Sequence, residues 1–471
     1  MLRFFKSVKN YYQLYTCIID FYQHCKEIET ISGEELDIFA DSIIPLIKQC
    51  GCVCIKFAQW LTPVLDLIYN ETDKNPPWLL KLERFYENCE NHSLEHTKEI
   101  YFKEFNVNID DKYEIHEVIG SGSIGQVYRI KDKKLGDEYA MKILHPTVEY
   151  DIKMFKRIFK FLMKFNKVRT MVNDVIPIDT LEFLTLFEKQ MDMIHEANNL
   201  SRFKYNTREN TVICKTPDLV EFSKSVLIMS YEKGISFYEA ECSDYTKGKL
   251  IIIFYLLLRY CFEYKDFNHA DVHKGNWKLT EDYSSIILYD YGYCYSVNDS
   301  YVIKNISTAI LELEPNTNNY DSFYKLATAV FKKDDDEMSE VFNKYMKNVD
   351  KTYVSSPKFL FNLVIHLSNE LNILINPFVF QAIVCQLQNT KNLSKYGITN
   401  EHTKHKSNDF IYRSNNMDFI NICNTYDIFP ELKEYFIEIS NNKQSKVDKL
   451  FDIANDAHYI NDEIKSLLKF D

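Results

Sequence analysis

Glycine and proline are scarce, with 11 of each in 471 residues. That leaves no stretch for flexible linkers or low-complexity tails, and no repeat period stands out. Basic charge is also short. Lys and Arg total 56 against 68 Asp and Glu, a net charge of −12, which argues against nucleic acid as the main partner because phosphate contacts need clustered cations. No run of eighteen apolar residues occurs, so no membrane-spanning helix is expected. The longest apolar segment, Leu250 to Phe262, is too short and contains Arg259. The 12 cysteines do not make a small disulfide scaffold in a chain this long. Cys50, Cys52 and Cys54 alternate without the paired two-residue spacing of a zinc site and are expected as buried, reduced thiols. His402 and His405 have no evident partner ligands and are expected as a surface pair.

What is present is ordinary for a soluble globular protein: 46% hydrophobic and 26% charged residues. The length exceeds one compact core, so two lobes are expected. A soluble intracellular protein is the first expectation, with an organelle or a membrane periphery the alternative. The first nineteen residues keep that alternative open, since they carry Arg3, Lys6 and Lys9 but no acid, with Phe4, Phe5, Tyr11, Tyr12 and Leu14 interspersed. Such a segment suits an organelle address or peripheral membrane contact. A docked amphipathic first helix suits it as well and is the preferred reading.

Along the chain the hydrophobic period changes twice. Residues 1–110 are spaced as helices, interrupted at Pro76-Pro77. From Tyr113 short strands are predicted at Glu117 to Ile119, Gln126 to Ile130 and Glu138 to Leu144, with a polar turn at Asp132 to Asp137. Helical spacing returns from Glu149 to about Phe203, followed by a strand at Ser225 to Tyr231. Beyond Lys233 the chain is expected to be almost entirely helical. The expected divisions are therefore 1–110, a helical N-terminal extension; 111–232, a sheet-bearing lobe with a long helical insertion; and 233–471, a helical lobe.

Three motifs lie in a fixed order on that frame. Gly120-Ser121-Gly122-Ser123-Ile124-Gly125-Gln126-Val127 fits G-x-G-x-x-G-x-V between two predicted strands, where glycines let backbone N–H groups approach phosphate oxygens. Tyr139-Ala140-Met141-Lys142 follows on the next strand, where Lys142 can bring a positive charge to phosphates. The third is His269-Ala270-Asp271-Val272-His273-Lys274-Gly275-Asn276, with Asp290-Tyr291-Gly292 beyond it. Asn276 lies five residues after Asp271, and Asp290 fourteen after Asn276. That is the layout of a kinase catalytic loop and its metal-binding aspartate: a carboxylate for the acceptor, Asp271, and oxygen ligands for magnesium, Asn276 and Asp290. Glu196 is the candidate partner for Lys142. Met229, on the strand through Val226, and Ser123 are assigned with the three glycines and Val127 to the nucleotide site.

Glu196 lies 54 residues after Lys142, much farther than in an ordinary protein kinase. That insertion, with Lys142-Ile143-Leu144-His145-Pro146 before it, resembles the UbiB/ADCK family of atypical kinases. The family's E-L-D…E-A-x-N is similar to Gln190-Met191-Asp192 and Glu196-Ala197-Asn198-Asn199. Its H-x-D-x-H-P-G-N is similar to His269 through Asn276 with Lys274 for proline, and its K-x-G-Q to Lys56-Phe57-Ala58-Gln59. The resemblance runs from about residue 40 to 300. It implies an α+β, protein-kinase-like bilobal fold whose N-terminal extension covers the active site through Lys56 and Gln59, which are assigned with Lys142 to nucleotide binding. It further implies ATP and magnesium as cofactors, phosphoryl transfer or ATP hydrolysis, and a link to quinone or other isoprenoid lipid metabolism, with a lipid as partner. Glycines at 120, 122 and 125 replace the family's alanine-rich loop, Ala58 replaces a glycine and Gln190 a glutamate. Two rival readings remain: a small-molecule phosphotransferase of the aminoglycoside/choline type, and a catalytically silent scaffold that binds nucleotide or lipid.

Overall fold

A computed structural model of the chain describes residues 2–27, 31–70, 76–85, 90–208, 214–272, 275–311, 313, 320–349, 354 and 356–394; His273, Lys274, His402 and His405 lie outside them. The chain forms two compact units. One comprises Met1–Ile176, Thr180–Asn199 and Pro217–Glu232, the other Pro177–Asp179, Leu200–Thr216 and Lys233–Asp471.

Helices open the first unit: α1 (Leu2–Glu27), α2 (Gly33–Cys50), α3 (Cys52–Tyr69), α4 (Pro77–Phe85), α5 (Leu94–Phe105) and the short α6 (Ile109–Lys112). Their starts are written locally. Ser32 and Glu35 form a capping box ahead of α2, and Pro77 is the first residue of α4, where a missing N–H costs nothing. One face of α1 docks, with Phe21 stacked on Phe39 at 3.8 Å and Asn10 Nδ2 donating to Gln49 O at 2.6 Å, while Phe5 and Tyr12 are exposed. Among the described residues only α3 is long and apolar enough to cross a membrane by length and composition, and 56% of it is buried inside the unit. Lys56, Gln59, Thr62, Pro63 and Asp66 interrupt its apolar sequence, which is why Leu250 to Phe262 stands out more in the sequence. Cys50 and Cys54 are buried and Cys52 half-buried, all three as free thiols.

The chain continues through β1 (Tyr113–Ser121), β2 (Gly125–Asp132) and β3 (Glu138–Leu144). The insertion follows as α7 (Val148–Leu162), α8 (Asn166–Val175) and α9 (Thr180–Lys189), then α10 (Met193–Asn206), β4 (Cys214–Lys215), β5 (Leu219–Phe222) and β6 (Val226–Ser230). An antiparallel sheet has the order β1-β2-β3-β6-β5. Alternation along β3 sorts its two faces. Met141 and Ile143 enter a core with Tyr101, Tyr113, Tyr128 and Ile228. The opposite face carries Lys142 and Leu144, and there Met193 and Ala197 of α10 pack with Leu227. Burying Met193 and Leu227 contributes roughly 1.5–3 kcal/mol each, so packing sets the position of α10 over this face of the sheet.

The second unit holds β7 (Gly234–Ile235), α11 (Asp244–Tyr260) with a π-helical turn at Cys261–Lys265, β8 (Asn268–His269), β9 (Trp277–Thr280), β10 (Ile286–Leu288) and β11 (Cys294–Tyr295). Helices α12 (Ser300–Leu311), α13 (Tyr320–Phe331), α14 (Asp336–Asn348), α15 (Pro357–Leu371) and α16 (Pro377–Ser394) complete it. Expected as almost entirely helical, the chain beyond Lys233 instead contributes β7, β9 and β10 to a four-stranded sheet, β4-β10-β9-β7, and forms the pair β11-β8. Strands of two to four residues are too short for a period of two to show. Ile251 to Phe254 and Leu256 to Leu258 of α11 are buried, and buried Arg259 donates from Nη2 to Thr390 Oγ1 at 2.7 Å. This is the α+β, protein-kinase-like fold that the motif order implies, with a helical N-terminal region.

The corner between α2 and α3 depends on Gly51. Its φ is +100°, and an added Cβ would come within 2.9 Å of Asp151 Oδ2, the oxygen that accepts from Thr147 Oγ1 at 2.8 Å and Cys52 Sγ at 3.3 Å. Gly51→Ala is therefore expected to destabilise the protein by about 1–2 kcal/mol in a denaturant melt. An unchanged midpoint would show that the corner relaxes freely.

Candidate active site

In the first unit the chemistry centres on β3 and the first turn of α10. Lys142 pairs in register with Val127 of β2 and Leu227 of β6. Its Nζ lies 2.8 Å from Glu196 Oε1 and 2.9 Å from Oε2. Lys142 and Glu196 side chains retain only 7% and 1% exposure. Two buried charges are stable only when geometry and hydrogen bonds offset lost hydration. The start of α10 provides that geometry: Asp192 Oδ1 accepts from Ile194 N at 2.9 Å, and Glu196 N donates to Asp192 O at 3.1 Å. Gln190, where the resembled family has glutamate, is buried with no hydrogen-bond partner for Oε1 among the described residues. A carboxylate there would be a buried charge; the amide avoids it.

The glycine-rich segment forms the tip of the β1–β2 hairpin. Gly122 N donates to Gly125 O at 3.0 Å, and Gly120 pairs with Val127. An added Cβ at Gly125 would meet Ile143 O at 2.8 Å, whereas one at Gly120 has nothing within 4 Å and one at Gly122 only Gly125 O at 3.8 Å. The sheet thus requires glycine at 125 but not at 120 or 122. Ser123, buried at the tip, donates from Oγ to Gln59 Oε1 at 3.0 Å, so α3 holds the hairpin by its end. Lys56, three residues earlier on α3, is also buried. Met229 lies buried on β6 opposite Ala140.

A histidine cluster, which motif reading did not find, braces the same tip. His145 Nε2 contacts Gly122 O at 3.0 Å, and its Nδ1 lies 2.9 Å from His92 Nδ1. His92 Nε2 meets Thr97 Oγ1 at 2.9 Å, and His96 Nε2 meets Leu144 O at 3.1 Å. Burial, then the neighbouring His145 and His96, push His92 down from 6.5 to about 4; burial lowers His145 too. The position of His145, three residues beyond Lys142, was the only sequence signal.

In the second unit His269 organises the loop. Its Nδ1 accepts from Asp271 N at 3.1 Å while Nε2 contacts Asp290 O, which assigns the proton to Nε2. Asn276 Nδ2 donates to Asp271 O at 2.8 Å, and Tyr289 N donates to Asn276 O at 2.9 Å. Gly292 N donates to Asp290 Oδ1 at 2.9 Å. Tyr291 is fully buried, with ring centroids 5.7 Å from His269 and 5.5 Å from Phe203. Its hydroxyl donates to Leu288 O at 3.1 Å, so tyrosine fills the aromatic position without an unpaired polar atom. Asp271, Asn276 and Asp290 are gathered in this unit; Lys142, Glu196, Gly120, Gly122, Ser123, Gly125, Val127, Met229, Lys56 and Gln59 belong to the first. Among the described residues no three His, Cys, Asp or Glu side chains are grouped to hold a metal ion by themselves.

The family model for the ABC1 atypical kinase-like domain matches residues 84–341. A Dictyostelium discoideum protein named "Probable serine/threonine-protein kinase abkC" is 30% identical over 241 residues, covering 50% of this chain and 34% of its own length. A mitochondrial "ABC1 family protein" of Schizosaccharomyces pombe is 24% identical over 327 residues, covering 60% of this chain and 45% of its own. "Probable protein kinase UbiB" of Shewanella loihica is 26% identical over 264 residues, covering 53% and 44%. The chain spans less than half the length of each of these curated relatives.

Two outcomes are expected. Removing one partner of the buried pair, as in Glu196→Met, should cost about 3–5 kcal/mol in a urea melt, while Lys142→Met with Glu196→Met should recover much of it. Additive losses would contradict a coupled pair. His92 binds fewer protons folded than unfolded between its folded value of about 4 and its ordinary 6.5, so stability should fall as pH drops through that window. His92→Gln should flatten the melting-temperature decline; parallel curves would place its cause elsewhere.

Proposed function

We propose that this chain, which belongs to the ABC1 atypical kinase-like family, binds ATP with magnesium and transfers or hydrolyses the terminal phosphoryl group. The observation that carries this reading is the buried, two-pronged Lys142–Glu196 pair. The cost of burying a lysine and a glutamate is hard to understand as a stabilising device alone, and it fixes an ammonium group with little residual freedom, as phosphate positioning requires. Room for a Cβ at Gly120 and Gly122 adds support, since the sheet gives no reason for glycine there, and close approach of a ligand does.

Asn276 and Asp290 would hold the metal. Their amide and carboxylate oxygens are the hard donors that magnesium takes. With Asn276 Nδ2 committed to Asp271 O, its Oδ1 is the donor left for an ion. Two side chains are few, which suits an ion that takes further ligands from water and nucleotide. When bound, magnesium neutralises charge on the phosphates. Asp271, its backbone set by His269 and Asn276, would accept the proton of the attacking oxygen as that oxygen bonds to the terminal phosphorus and the bridging bond to ADP breaks. Gln59, through Ser123, would keep the glycine-rich tip in place. The Schizosaccharomyces pombe relative named mitochondrial supports an organellar setting, and the link to quinone or isoprenoid metabolism rests on the family likeness.

Asp290→Asn tests the assignment. It keeps an oxygen for Gly292 N but removes the charge, and should lower magnesium-dependent phosphate release by on the order of a hundredfold or more, with an unchanged circular-dichroism spectrum. Full turnover in that variant would refute the role.

A further inference from the structure

Two donors are left over at the tip of the β1–β2 hairpin. Among the described residues the backbone N–H groups of Ser123 and Ile124 donate to nothing, although a main-chain N–H is a strong donor that folded chains normally satisfy. The carbonyls beside them are taken, and one residue takes two of them. His145 donates its backbone N–H to Ile124 O at 2.9 Å, and its Nε2 meets Gly122 O at 3.0 Å. The peptide between Gly122 and Ser123 is trans, so the Ser123 N–H points opposite to Gly122 O in the same plane, and therefore away from His145. Gly122 could not hold that plane alone, because glycine rotates at little cost. It is exposed, and an added Cβ would meet only Gly125 O at 3.8 Å, so a ligand can approach across it.

The proton on His145 follows from its partners. A carbonyl only accepts, so Nε2 must be the donor. Burial favours the neutral form of both His145 and His92, which leaves His145 Nδ1 bare and able to accept from His92 Nδ1 at 2.9 Å. His92 is fixed in turn, its backbone N–H donating to Gln126 Oε1 at 2.8 Å and its Nε2 facing the Thr97 hydroxyl at 2.9 Å. We propose that His145, with its tautomer set by His92, is a positioning residue for the nucleotide phosphates: it pins the Gly122–Ser123 peptide so that the Ser123 N–H is held ready for a phosphate oxygen. The proposal rests on the nucleotide reading above and adds what fixes the direction of the tip. A clasp serving the hairpin alone gives no reason for two successive N–H groups to stay without partners, whereas successive N–H groups suit an anion.

Equilibrium dialysis of the full chain with labelled adenosine, and with a labelled non-hydrolysable ATP analogue plus magnesium, separates the phosphate contact from the rest of the site. His145→Asn keeps an amide where Nδ1 stood, able to accept from His92, but is too short to reach Gly122 O. It should bind the ATP analogue about tenfold more weakly than wild type, the scale of one hydrogen bond to a charged group, with adenosine affinity unchanged. His145→Gln, whose longer amide can donate to Gly122 O, should stay within about twofold of wild type for both. His92→Leu frees His145 to move its proton to Nδ1 and should show the same selective loss, which keeps the test decisive if His145→Asn does not fold. Undiminished analogue binding in His145→Asn and His92→Leu, equal losses for analogue and adenosine, or no recovery in His145→Gln would overturn the role of His145 and leave the nucleotide reading standing. A wild-type chain that binds the analogue no more tightly than adenosine would overturn both.

Discussion

Placing a lysine and a glutamate in the interior, with water excluded from both, constrains the first unit more than any other contact in it. Lys142 and Glu196 must meet within 2.8 Å although 54 residues separate them. The meeting is arranged from both ends. Alternation along β3 turns Met141 and Ile143 into the core on one face and so turns Lys142 to the other. There α10 is seated by Met193 and Ala197, and its first turn is held by Asp192. The three insertion helices, α7 to α9, lie between the two partners in sequence without disturbing either anchor. An ion pair of this kind is poor at adding stability but good at fixing one geometry, and a fixed ammonium is what a phosphate site needs.

A second economy appears around His269. One imidazole holds the backbone N–H of Asp271 and the backbone carbonyl of Asp290, and its ring packs beside Tyr291 and, through it, Phe203. Main-chain positions on either side of the metal-ligand candidates are thus tied to a single buried group. Tyrosine in place of phenylalanine at 291 costs nothing because Leu288 O is within reach of its hydroxyl.

Much of this was legible in the sequence, for physical reasons. β3 is seven residues long and appears at the span that its alternation predicts. The order of Lys142, Glu196, Asp271, Asn276 and Asp290 is visible because a kinase-like family keeps residue types and, within the loop from Asp271 to Asp290, spacing that local motifs record. What stayed hidden is of two kinds. The strands of the second unit, such as Asn268–His269 and Cys294–Tyr295, are too short to carry a period. The other kind is contact between distant segments: Gln59 with Ser123, and His92 with His145. Such contacts depend on how helices cross, which no local pattern records.

A crystal structure of the chain with a non-hydrolysable ATP analogue and manganese, located by its anomalous signal, tests the central claim most directly. Lys142 Nζ should lie on a phosphate oxygen with its Glu196 pair intact, and the manganese peak on side-chain oxygens of Asn276 and Asp290. A nucleotide bound away from Lys142, or a metal held by other side chains, would contradict it.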